Sequence, residues 1–135
     1  MTDGHARSRR VARWLLAAIY LFAGFVHIHR PGFFLPVVPD WVPWPYQTVL
    51  LTGACEIAGA IGLLYPPTRR LAAIMLALYA VCVFPANIKH AWLDLTGARH
   101  GLGWAYHAPR LAAQPLIVLW TLFAGGIRLR RGPGR

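Results

Sequence analysis

Glu56 is the one acid inside any of the apolar runs of this sequence, and a chemical reading starts from it. A charge at mid-bilayer costs about 2.5–3.5 kcal/mol even on the lenient insertion scale, so such a carboxylate must face other helices and find a partner. His27, Lys89 and His90 are partners of the right sign. A buried Glu–His pair takes up and releases protons, which makes Glu56 and His27 the candidate catalytic residues. Asn87, His90, Lys89, Gln114 and Tyr20 are the candidate ligand-binding residues. Tyr20, Gly24 and His27 share one helical face by their spacing of four and three. The alternative role for Glu56 is structural, a hydrogen bond tying neighbouring helices together. No metal site is expected: His27 and His29 lie 200° apart on a helix and do not chelate together. A site built from His27 with His90 or Glu56 has no support in spacing.

The stretch that must position these groups runs from Tyr79 to Trp92. It begins apolar, meets Pro85, and then presents Asn87, Lys89 and His90. Proline removes an N–H and crowds the carbonyl four residues back, here Val81, so a kink and a freed acceptor are expected. In lipid that acceptor needs a donor nearby. At 1.5 Å rise per residue, Glu56 lies about 15 Å below the outer end of its helix. His27, Asn87, His90 and Gln114 fall in the same half, so every span brings a polar group to one region.

The composition explains why these groups are costly. The chain has 135 residues, 57% hydrophobic and only 13% charged. Soluble domains run nearer a quarter charged, so this is an integral membrane protein. The predicted fold is all-α, an antiparallel four-helix bundle with spans at about 11–28, 46–65, 71–91 and 109–127. A basic segment, 1–12, precedes a membrane domain, 13–127, and a basic tail expected to be disordered, 128–135, follows. The apolar run after the basic N-terminus is too long for a signal-peptide core and has no small-residue cleavage site, so it reads as a retained span. The N-terminus, the turn after the second span and the tail hold ten of the 14 Lys and Arg, which places both termini in the cytoplasm. The net charge of +10 clusters beside the apolar runs, as membrane topology and anionic lipid require and nucleic-acid binding does not.

Between the first two spans lies HRPGFFLPVVPDWVPWP, residues 29–45, where five prolines forbid a long helix. It is too apolar for a free aqueous loop and reads as an aromatic belt with turns, or as a lid. Trp41, Trp44, Trp92 and Trp104 gather at the same face. The second loop, 92–108, holds Asp94, Arg99, His100 and three glycines that argue for turns. Pro109 suits the first turn of the last span. Cys55 and Cys82 have no metal spacing and read as small buried hydrophobes, with a redox pair across two helices as the alternative.

Several of these pieces resemble the DoxX-like family of small bacterial membrane proteins. They are FAGFVH at residues 22–27 with Pro31, Phe33, Phe34, Val38 and Pro39 after it; LTGACEIAGAIGLL at 51–64; Thr68 and Arg69; and VFPANI at 83–88. The likeness implies a four-helix bundle of the inner membrane. Some members are named as subunits of a thiosulfate:quinone oxidoreductase, and others are implicated in membrane redox complexes. His27, Glu56, Pro85 and Asn87 match family positions. The expectation is therefore a quinone-linked oxidoreductase subunit that binds a quinone or similar small molecule in the outer half. Nothing in the sequence ligates haem, flavin or an iron–sulfur cluster recognisably, so electrons would come from a partner protein or a diffusible reductant. A non-catalytic anchor for partner proteins is the alternative. A small solute carrier is a third, in which a homodimer would supply the size that one copy lacks.

Overall fold

The computed structural model describes residues 2–97 and 101–127. Five helices follow one another: α1 (Thr2–His29), α2 (Pro45–Leu64), α3 (Arg69–Cys82), α4 (Phe84–Leu95) and α5 (Trp104–Ala124). The connector between α1 and α2 holds two single-turn helices, Pro31–Phe33 and Leu35–Val37. No strand occurs among the described residues, so the fold class is all-α. Three stretches are long and apolar enough to cross a membrane: Gly4–His29, Pro45–Leu64 and Arg69–Leu95. The fourth expected span, 109–127, is not among them. Its helix carries His107, Arg110 and Gln114, which dilute its hydropathy. The expected tail, 128–135, and the loop residues Arg99 and His100 lie outside the described residues.

Three boundaries differ from expectation, each for a local reason. Helix α1 runs back through the basic segment to Thr2. Arginine is a good helix former. Here Arg13 Nε also donates to the Ala124 carbonyl at 3.1 Å and Arg9 lies over the Phe123 ring, so α5 supports this extension. The third span is two helices, broken at Val83 immediately before Phe84 and Pro85. The side-chain donor at the break is Gln114, whose Nε2 reaches the Ala80 carbonyl at 2.8 Å rather than that of Val81. Helix α5 begins at Trp104, which puts Pro109 inside it. Its start is set by Asp94, whose carboxylate accepts from the Gly103 N–H at 3.1 Å. An anion at a helix N-terminus is favourable there.

Small residues set the packing. Gly24 on α1 and Gly53 on α2 meet so closely that a Cβ on Gly53 would stand 2.8 Å from His27 Cβ and 2.9 Å from the Gly24 carbonyl oxygen. A Cβ on Gly59 of α2 would overlap Leu76 of α3. The core combines Leu16, Ala17 and Tyr20 with Leu63 and Leu76 and a set of alanines on α2, α3 and α5. Arg69 donates to the Leu63 and Leu64 carbonyls, capping the end of α2. Large apolar side chains face outward on four of the helices: Phe22, Leu51, Ile61, Leu71, Leu78 and Leu116 are all more than half exposed. Exposed apolar side chains in this number accompany the three helices long and apolar enough to cross a membrane. Cys55 and Cys82 belong to that exterior, since both are exposed rather than buried. A thiol is apolar enough to face lipid, so their place in apolar runs said nothing about burial.

Candidate functional site

Helix α2 delivers Glu56 to the interior, where only 4% of it is exposed. Two neighbours meet its carboxylate. The Tyr79 hydroxyl on α3 donates to Oε1 at 2.8 Å. His27 Nδ1 on α1 lies 2.9 Å from Oε2. That nitrogen is also 2.8 Å from the Ala23 carbonyl, which can only accept, so Nδ1 carries a hydrogen aimed at Ala23. The approach to Oε2 is therefore an electrostatic contact without an aligned hydrogen bond, and Oε2 is buried with no donor directed at it. A buried polar atom without a hydrogen-bond partner is uncommon in folded proteins. In the neutral ring His27 Nε2 is the second free acceptor.

Two aromatic contacts fix these groups. Phe34 of the connector stacks on the His27 imidazole, centroids 3.7 Å apart and planes 14° from parallel. Tyr20 packs edge-on against Tyr79 at 6.3 Å. The connector is pinned elsewhere as well. Lys89 Nζ donates to the Val38 carbonyl at 2.7 Å and to Asp40 Oδ1 at 2.6 Å.

These groups border a cavity of about 660 Å³ to which all five helices and the connector contribute. That is the volume range of pockets for small organic ligands. Its walls are mainly apolar, with Leu16, Val26, Val49, Ala86 and Ile117 among them. It is not sealed: Ile19 and Phe22 of α1, Trp41 of the connector and Cys82 line it while remaining exposed.

Glu56, His27, Tyr20, Asn87 and Gln114 all border this cavity. Lys89 does not pair with Glu56. The acid it meets is Asp40, across the connector. His90 is not a partner of Glu56 either. Its Nδ1 accepts from Arg110, and its ring lies edge-on to Tyr106 and His107. Gln114 spends its amide on the break in the third span. Asn87 Oδ1 accepts from Arg110 Nη2 at 2.8 Å.

Arg110 and Tyr79 were not singled out from sequence. Arg110 counted only as one of the basic residues that set topology, and Tyr79 only as the start of an apolar run. Spacing along one helix carries no signal for either, because each finds its partners on another helix. The pair His107 Nε2–Asp94 Oδ2, 2.8 Å apart, was also not anticipated. It joins the end of α4 to the start of α5, with His107 fully buried.

No curated protein and no solved structure matches the chain. One family model does, over residues 16–124, a range that takes in every residue lining the cavity. By that match the protein belongs to the family described as a domain of unknown function (DUF8561).

Proposed function

We propose that this protein is an antiparallel four-helix bundle of the bacterial inner membrane, with both termini cytoplasmic, that binds a quinone or similar ring molecule as the membrane subunit of a redox system. The observation that carries the reading is one apolar cavity of about 660 Å³ bordered by a buried carboxylate, an imidazole and a phenol. A quinone partitions into lipid and has a flat apolar ring with oxygen acceptors on its edge. Exposed Ile19 and Phe22 give such a molecule a side entry from the acyl chains. Reduction of a quinone to a quinol consumes two electrons and two protons. Glu56 and His27 relay the protons, with Tyr79 holding the carboxylate in place. The electrons come from a partner redox protein or a diffusible reductant. The likeness to DoxX-like sequences supports the same reading, and the bias of basic residues supports the orientation.

The rival reading has an observation of its own. Glu56 joins α1, α2 and α3 through His27 and Tyr79, which is what an anchor with a purely structural polar core would need. Titration of the detergent-purified chain with menadione separates the two. Cys82 is replaced by serine, so that this thiol cannot add to the ring. Saturable binding is expected, weakened at least roughly tenfold by Ala86→Trp, which adds bulk to the cavity wall. The melting temperature should hold. The anchor reading predicts no saturable binding in either protein.

A further inference from the structure

Among the described residues no carboxylate pairs with the Arg110 guanidinium. The chain has four acidic residues. Asp40 is met by Lys89, Asp94 by His107, and Glu56 by His27 and Tyr79. The fourth, Asp3, lies in the first turn of α1, and α1 brings its N-terminal half to the end of α5 remote from Arg110. The guanidinium is held instead by neutral groups. Nη1 donates to His90 Nδ1, Nη2 donates to Asn87 Oδ1 at 2.8 Å, and the Tyr106 ring lies 5.8 Å from its carbon. Arginine stays charged in proteins. An uncompensated charge facing an apolar cavity is costly, and the cost is removed when an anion binds. Two neutral acceptors and a ring face also hold the guanidinium plane in one orientation, so binding an oxyanion requires little reorganisation.

We infer that Arg110 is the specificity-determining residue of this cavity, and that the ligand it selects carries an ionised oxygen on its flat ring. Hydroxyquinone anions and aromatic carboxylates share that chemistry. Asn87 and His90 are positioning residues that hold the guanidinium toward the oxyanion. Glu56 borders the same cavity, but the basic group in contact with it is His27, and among the described residues no ion pair joins it to Arg110. The inference rests on the reading of the cavity as a ring-binding site and adds the charge of what it takes.

Two ring compounds of nearly equal size test it. Menadione is neutral, and lawsone, its hydroxy counterpart, is ionised at neutral pH. Both are titrated against the detergent-purified full chain bearing Cys82→Ser, at low and high salt. Lawsone should bind roughly tenfold more tightly, and that advantage should shrink as salt rises. Arg110→Gln should bring the two affinities together. Arg110→Lys, which keeps the charge and loses the fork, should retain part of the difference. Thermal melting identifies any variant that has failed to fold, and Asn87→Ala then takes its place, with a reduced lawsone advantage expected. Equal affinities in the Arg110 protein, or a lawsone advantage that survives Arg110→Gln, would overturn the inference and leave the cavity reading intact. Binding of neither compound would remove the cavity reading and this one with it.

Discussion

Gly53→Leu should destabilise the protein by about 3 kcal/mol, the upper end of the cost of overpacking a tight interface. The reason is what surrounds the missing side chain. A first carbon at Gly53 already stands 2.8 Å from His27 Cβ and 2.9 Å from a backbone oxygen of α1. Backbone cannot rotate aside as the end of a leucine can, so the helices themselves must separate. Separation also carries His27 away from Glu56, since both flank this crossing. The variant should therefore lose ring binding along with stability, as read by denaturant unfolding in detergent and by titration. Gly32→Ala is the matched control. Nothing lies within 4 Å of a Cβ at Gly32, and unfolding of that variant should match the parent protein.

The second large effect concerns Glu56, where two substitutions should separate structure from chemistry. Glu56→Ala strips the acceptor from the Tyr79 hydroxyl and leaves a donor stranded, at a cost of about 1–3 kcal/mol. Tyr79→Phe removes only one hydrogen bond between helices, about 0.6 kcal/mol on average in lipid. Glu56→Gln keeps an acceptor for Tyr79 and fills the same space but cannot release a proton. If the proposed proton relay operates, this variant should fold normally and lower quinone reduction in its own membranes roughly a hundredfold, the usual worth of one acid–base group. Reduction that proceeds unchanged in Glu56→Gln and His27→Ala removes the relay.

Much of this arrangement was legible because lipid makes polarity expensive. An acid inside an apolar run announces an interior position, and Glu56 is interior. Gly24 was placed on one face with Tyr20 and His27, and that face meets Gly53 of α2. A proline after a long apolar run announces a kink; the third span goes further and divides into two helices there. Pairing between helices was not legible. Periodicity says which face a residue occupies but not which residue on another helix it meets. Lys89 was matched to Glu56 by sign alone, whereas the connector brings Asp40 to it first. Arg110 was counted as a topological charge because its partners, Asn87 and His90, stand on α4, across the loop from α5. The start of α5 failed for a related reason. Its N-terminal acceptor, Asp94, comes from the preceding helix and leaves no capping pattern in the local sequence.

The cavity invites one direct measurement: mass spectrometry of the protein released from its own membrane with the surrounding lipid retained. The account predicts a flat oxygen-bearing ring molecule at about one per chain, depleted from Ala86→Trp while the lipid complement stays the same. Chains that carry phospholipid alone, from membranes in which quinones are abundant, would contradict it.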